Sequence, residues 1–162
     1  MGRRNKSGQL GTAAETAVVR AARTRGFPHA DRLRLTGAWD RGDVCLTPTL
    51  VPGVIVEVKG GNAARNASDN LIEEWLAETA AGRENAGADY GFLVVQRSGV
   101  GYPNAHRWWA VWELGHLKEL LAGEPTEKGT LETAPVRMTL DTSLHLLRVK
   151  GWGDPIHDHE RE

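Results

Sequence analysis

The chain has 162 residues, of which 40% are hydrophobic and 25% charged, and its formal net charge at neutral pH is −1. This length predicts one domain with a buried core, and the composition is ordinary for a soluble globular protein. No apolar run approaches the roughly 20 residues that cross a bilayer. The basic start, Met1–Lys6, leads into no apolar segment, so we predict neither a membrane span nor a secretion signal.

The cysteine content and the distribution of charge bear on the cellular compartment and on the kind of binding partner. Cys45 is the only cysteine, which excludes an internal disulfide and favours a reducing cytoplasm. Because it lies in an apolar run, we expect a small core residue rather than a reactive thiol. Arginine and lysine dominate residues 1–41. This basic end predicts either a positive field for a polyanion or the solvated face of an arginine-rich helix.

The first predicted element is a helix from Ser7 to Arg25, ended by Gly26 and Pro28. Its apolar stripe consists of Leu10, Ala14, Val18, Ala21 and Ala22. Glu15 borders this stripe, which is an unusual place for an acid. It is therefore either a functional carboxylate or a rim carboxylate paired with a neighbouring arginine.

Two short strands follow an extended segment around residues 29–35. Asp43 precedes the apolar run 44–46, and residues 54–59 alternate so that Glu57 and Lys59 project on the same side of a strand. The linker between them contains two prolines and a glycine, as a link between adjacent strands would. Antiparallel pairing would bring Asp43 beside Glu57. Two carboxylates and a lysine would then converge, a set that suits a hard divalent cation facing a phosphate.

The second half continues the interleaving of helices and strands. We predict a helix over residues 68–84, a strand over 91–96, a strand over 106–113 and a short helix over 117–121. Residues 136–140 alternate as a strand, and Leu144 to Val149 would pair with it as a hairpin. We therefore divide the chain into a core, 1–122, and a C-terminal extension, 123–162, that ends in a frayed acidic tail. The fold class is α/β, with a mixed central β-sheet flanked by helices.

The order of these residues resembles a known nuclease superfamily. Glu15 in the first helix, Gly42-Asp43 in one strand and Glu57-Val58-Lys59 in the next resemble the PD-(D/E)XK nucleases. Within them, the chain looks most like archaeal-type Holliday junction resolvases and their relatives in phages of actinobacteria. The similarity covers roughly residues 7–114 and implies a restriction-endonuclease-like fold. Gly42 stands in place of the proline of the superfamily name, and the helix after Lys59 lacks the Gln-x-x-x-Tyr pattern of the exonuclease-like branch.

The resemblance implies a role for each residue of the set. Asp43 and Glu57 would bind Mg²⁺, aided by the backbone carbonyl of Val58, and Glu15 would complete the acidic site. Lys59 would orient or activate the attacking water and stabilise charge on the phosphate. Mn²⁺ is expected to substitute for Mg²⁺.

The implied activity is a Mg²⁺-dependent DNA endonuclease, a homodimer that resolves Holliday junctions or other branched DNA. Two alternatives stay open: a restriction-like or nicking nuclease acting on duplex DNA, and a catalytically inactive DNA-binding module. The compartment would be the cytoplasm, that of the host if a phage encodes the chain.

The expected DNA contacts are basic or polar side chains near the predicted site, together with one indole. They are Arg3, Arg4, Lys6, Arg32, Arg34, Trp39, Arg41 and Gln96. Trp39 would either stack on a base or cap the core, and Gln96 is either a phosphate contact or an ordinary strand end. The other tryptophans considered, at positions 75, 108, 109 and 112, are expected in the core or in a dimer interface.

Overall fold

The computed structural model describes residues 6–33, 42–48, 53–125, 130–157 and 159, without the side chains of residues 6–10 and 130. These residues form an α/β fold around a six-stranded sheet whose strands follow one another in chain order. The strands are β1 (Asp31–Arg32), β2 (Val44–Cys45), β3 (Val54–Lys59), β4 (Tyr90–Val95), β5 (Trp109–Glu113) and β6 (Pro135–Thr139). β3 and β4 are parallel, and the other neighbours are antiparallel, so the predicted mixed sheet is confirmed.

Five α-helices and two 3₁₀ helices connect and cover these strands. The α-helices are α1 (Lys6–Arg23), α2 (Asn62–Arg65), α3 (Asp69–Ala86), α4 (Leu114–Ala122) and α5 (Leu140–Val149). The 3₁₀ helices are Tyr102–Arg107 and Thr130–Thr133. Among the described residues, no helix is both long enough and apolar enough to cross a membrane.

The two long helices begin and end where the sequence predicts, to within two residues. In α1 the stripe residues Ala14, Val18 and Ala22 are fully buried. The Ser68 hydroxyl caps α3 by accepting a hydrogen bond from the Leu71 amide at 3.2 Å, and Gly87 ends it in a left-handed conformation, φ 66°. The apolar period thus fixes both helices locally, and capping residues fix the ends of α3.

The sheet presents different side chains to its two sides. Val54, Val56 and Val58 of β3 belong to the larger core cluster, together with the buried residues of α1. The intervening residues project to the opposite side, where Leu93 and Val111 pack with Leu76 of α3. Glu57 and Lys59 therefore lie on the α3 side of the sheet, at the carboxyl end of β3.

Trp108 and Trp112 are fully buried in the larger cluster, one of the two positions predicted for them. The Trp112 ring stacks on Phe92 at 4.9 Å, and its Nε1 donates a hydrogen bond to the Ser143 hydroxyl at 2.8 Å. The strand is shorter than predicted, because Tyr102–Arg107 forms a 3₁₀ helix with a proline in its first turn. Trp75 and Trp109 remain partly exposed.

The predicted hairpin is wrong, because Leu144 to Val149 belongs to helix α5. The Thr139 hydroxyl caps this helix by accepting a hydrogen bond from the Thr142 amide at 3.2 Å. Leu140, Leu144 and Leu147 follow the helical period and are fully buried in the core that α1 also lines. β6 and α5 therefore contribute to the main sheet and core.

The chain from Gly151 to Pro155 is also packed rather than frayed. The Asp154 amide donates to the Gly26 carbonyl at 2.7 Å, and the Trp152 ring meets Tyr90 edge-on at 6.0 Å. Gly53 makes room for this indole: a Cβ there would lie 2.2 Å from the Trp152 ring. The acidic residues Asp158, Glu160 and Glu162 lie outside the described residues.

Candidate functional site

Antiparallel pairing of β2 and β3 brings Asp43 beside Glu57, as the sequence predicts. Val44 lies opposite Val56, so the strand pair brings Asp43, the preceding residue, to the segment of β3 that contains Glu57. The Asp43 amide donates to the Val56 carbonyl at 3.0 Å, and its Oδ2 accepts a hydrogen bond from the Val58 amide at 2.8 Å. The carboxylate is thus held against the β3 backbone.

Gly42 stands where the resemblance would place a proline. Its φ is 87°, in the left-handed region that glycine adopts without strain. Proline, whose φ is fixed near −65°, could not take this conformation. In this chain the turn into Asp43 therefore requires glycine.

Lys59 contacts one carboxylate on its own strand, β3, and one on α3. Its Nζ lies 3.2 Å from Glu57 Oε1 and 2.7 Å from Glu78 Oε2. The same ammonium lies 5.7 Å from the centroid of the Trp75 ring, within range of a cation–π contact. Glu57 is only 5% exposed, whereas the Glu78 side chain is half exposed. The lysine thus balances the charge of a buried acid.

The surroundings of Lys59 fix its charge state. Burial lowers the pKa of Lys59, but the hydrogen bond and charge of Glu78, with those of Glu57, more than offset this, so the pKa lies above its usual value. Lys59 is therefore an ammonium ion throughout the neutral range. Of the two roles implied for it, a protonated lysine can orient a water and stabilise negative charge, but it cannot accept a proton.

Glu15 lies on the other side of the sheet. Its helix, α1, covers the valine face of β3, and its Oε2 accepts a 2.7 Å hydrogen bond from Arg32 Nε. The Glu15 side chain is 18% exposed and that of Arg32 43%. Of the two readings left open by the sequence, the structure shows the rim carboxylate paired with an arginine.

Asp43 and Glu57 are the acids that the structure places together. Within the described ranges, no group of three or more His, Cys, Asp or Glu side chains is placed so that it could hold a metal ion. Mg²⁺ sites in proteins commonly use one or two carboxylates and leave the other positions to water and substrate phosphate. Two neighbouring carboxylates fit that set of ligands, and the Val58 amide orients one of them by donating a hydrogen bond to Asp43.

Gln96 has an internal role. Gln96 is 4% exposed, and its Oε1 accepts a hydrogen bond from the Gly61 amide at 2.8 Å. Its backbone N–H donates to the Lys59 carbonyl at 2.9 Å. These bonds join the ends of β3 and β4 directly after Lys59. Gln96 thus positions the end of β3, and its side-chain oxygen is used within the protein.

We expect Gln96→Ala to lower the free energy of unfolding by about 1–3 kcal/mol, because the buried Gly61 amide loses its acceptor. The measurement is urea unfolding followed by tryptophan fluorescence. Ser98→Ala, at an exposed position two residues away, is the matched control and should change stability by less than about 0.5 kcal/mol. Equal stabilities of the two variants would contradict the positioning role.

Most of the predicted DNA contacts fall where the structure gives no side chain. Arg3, Arg4, Arg34, Trp39 and Arg41 lie outside the described residues. Lys6 begins α1, but its side chain is not described, and Arg32 is engaged by Glu15. These contacts stay predictions.

Trp75 and Glu78 of α3 contact Lys59, and neither contact is predicted from the sequence. Trp75 and Glu78 are three residues apart on α3, so they share one side of that helix. The sequence does contain a sign of this contact, because Trp75 is predicted in the core or an interface and Glu78 lies one turn further on the same side of the helix. Its connection to Lys59 depends on how α3 packs on the sheet.

Cys45 is fully buried, so the prediction of a core thiol is confirmed. Its Sγ donates to the Thr47 carbonyl at 3.0 Å, and burial raises the pKa of the thiol. A neutral, buried thiol is a poor nucleophile, which argues against cysteine-based catalysis.

Comparison of the chain with protein-family models, with curated proteins and with solved structures finds no match.

Proposed function

We propose that the chain is a Mg²⁺-dependent DNA endonuclease of the PD-(D/E)XK type, a homodimer that cuts Holliday junctions or other branched DNA in the cytoplasm. One observation carries the proposal: neighbouring strands place Asp43 beside Glu57, and the Lys59 ammonium lies 3.2 Å from the Glu57 carboxylate. A pair of acids next to a cation, on adjacent strand ends, suits phosphodiester hydrolysis better than any other arrangement in the described part of the chain.

Asp43 and Glu57 would hold the cation, and the carbonyl of Val58 is the further ligand that we expect. Two negative charges at the end of a buried strand are costly unless a cation neutralises them. Lys59 offsets part of this charge already. When bound, Mg²⁺ lowers the pKa of a coordinated water and polarises the phosphate.

Lys59 would act on the phosphate as a fixed positive charge. Its ammonium is held by Glu57, Glu78 and the Trp75 ring, so little rearrangement is needed when negative charge develops on the phosphoryl oxygens. The half-exposed Glu78 is the partner that a substrate phosphate would most easily replace. Lys59 would therefore turn from a carboxylate toward the substrate without leaving the site.

The test is cleavage of a labelled four-way junction beside a matched linear duplex and a single strand, in Mg²⁺ and in EDTA. We expect paired, Mg²⁺-dependent nicks in the junction. Equal cutting of all three substrates would favour the restriction-like or nicking nuclease. Absence of cutting in Mg²⁺ and in Mn²⁺ would overturn the proposed activity.

A second candidate, a DNA-binding module without nuclease activity, is favoured by one observation. Glu15, which the resemblance assigns to the acidic site, is paired with Arg32 on the far side of the sheet. Tight junction binding without cleavage by the intact chain would select this reading.

A further inference from the structure

Two arginines converge on one tryptophan beside the candidate site. The guanidinium carbon of Arg97 lies 4.1 Å from the centroid of the Trp109 ring, and that of Arg137 lies 4.4 Å from it. Arg97 comes from the loop that follows β4, and Arg137 comes from β6, so the two flank the β5 indole from neighbouring strands. We call Arg97, Trp109 and Arg137 the arginine–indole cluster.

The positive charge of this cluster is not balanced within the described part of the chain. No ion pair there joins Arg97 or Arg137 to a carboxylate, whereas Arg23, Arg25 and Arg32 each have an acidic partner. Arg137 is exposed, and Arg97 and Trp109 are partly exposed. Two guanidiniums ordered on one ring, without an acid, form a site for an anion.

The strand register places this cluster on the same side of the sheet as the candidate site. Lys59 lies opposite Val95, and Val95 lies opposite Trp109, so the lysine and the indole share one row across three strands. A second row on the same side of the sheet crosses four strands, through Glu57, Leu93, Val111 and Arg137. In-register neighbours project to the same side, so these rows bring the cluster and the catalytic residues onto one surface.

The separation suits a single nucleic-acid strand. Two strand spacings put Trp109 about 10 Å from Lys59, and three put Arg137 about 14 Å from Glu57. Phosphates of one DNA strand recur about every 3.4 Å along the helix axis, so this separation corresponds to a few nucleotides at most.

We propose that the arginine–indole cluster is a second contact for the phosphodiester backbone of the nucleic-acid substrate, a few nucleotides from the bond that is cut. This inference rests on the proposed nuclease function and names how that site would hold its strand. The guanidiniums contact phosphate oxygens, and Trp109 acts as a positioning residue that keeps them ordered. Because the arginines already cover the ring, recognition is by charge and not by base stacking.

The test is binding of a labelled four-way junction in EDTA, measured by fluorescence anisotropy over a series of salt concentrations. Arg97→Gln with Arg137→Gln should weaken binding about tenfold or more and reduce the slope of log affinity against log salt by about 2. Lys150→Gln with Arg107→Gln removes the same charge from exposed positions at the end of α5 and on the 3₁₀ helix Tyr102–Arg107, and should change affinity less than about threefold. Lysine at both cluster positions should keep the slope but lose part of the affinity.

The outcomes separate this inference from the proposed function. Junction cleavage by the wild-type chain, with an unchanged salt slope in the cluster variant, would overturn the proposed role of the cluster but not the proposed function. An equal loss in both double variants would also overturn it, because the effect would then come from net charge. If the wild-type chain neither binds nor cuts DNA, the proposed function fails and the cluster fails with it.

Discussion

Replacing Glu57 by glutamine is expected to reduce Mg²⁺-dependent cleavage by about 10²–10³-fold. The amide keeps the size of the side chain and removes its charge, so Asp43 alone would face the cation. Because Lys59 retains its 2.7 Å contact with Glu78, the strand end should keep its structure. The measurement is single-turnover cleavage of a labelled junction with protein in excess.

Glu78→Gln is the matched control for this prediction. It removes a carboxylate that also contacts Lys59, but from a half-exposed position on α3, and it leaves the Glu57–Lys59 pair intact. Cleavage should fall less than about tenfold, since an exposed ion pair contributes little.

Metal binding gives a readout that does not depend on cleavage. Mn²⁺ at about 100 times its dissociation constant should stabilise the wild-type chain by about 2.7 kcal/mol. The Glu57→Gln variant should show much less of this stabilisation. If it cuts and binds metal like the wild type, the acid pair is not the active site.

Sequence reasoning succeeds for the part of the site that is local. The alternation over β3 places Glu57 and Lys59 on one side, and the proline- and glycine-containing linker predicts the β2–β3 pair that brings Asp43 to them. Both statements need only the period of a strand and a short connection. The helix stripes of α1 and α3 are predicted for the same reason.

Sequence reasoning fails where several elements decide the outcome together. Glu15 and Arg32 are 17 residues apart, and their pairing depends on how α1 packs against the edge of the sheet. The apolar residues at 144–149 are too few to separate a strand from a helix. Only the inclusion of Leu140 and the cap at Thr139 reveals the helical period of α5.

The tryptophans show the same limit. Alternation over residues 106–113 assigns Trp108 and Trp112 to one face, and both are buried. It cannot say how far α3 extends over the other face. The indole of Trp109 remains partly exposed there, beside two arginines that come from different strands.

Lys59→Met is expected to lower cleavage by about 10²–10³-fold while junction affinity changes less than about threefold. Methionine keeps most of the aliphatic length but removes the charge that would face the phosphate. Lys118→Met is the control, because Lys118 forms a comparable pair with Glu132, 3.0 Å away, outside the catalytic set. An equal loss of cleavage in both variants would indicate a general effect of charge and contradict the role of Lys59.

The pH dependence of stability provides an independent check on Lys59. At pH 7 the Lys59→Met variant should lose about 1–3 kcal/mol of unfolding free energy, because the buried Glu57 carboxylate loses its ammonium partner. The folded-state pKa of Lys59 lies above its usual value, so this stabilisation is fully present below the unfolded pKa, about 10.4. It is lost as the pH rises through the folded-state value. The stability gap between wild type and Lys59→Met should therefore stay constant from about pH 7 to 10 and narrow above that range. A gap that closes near neutral pH would mean that Lys59 deprotonates there, and the lysine would then be a base rather than a fixed charge.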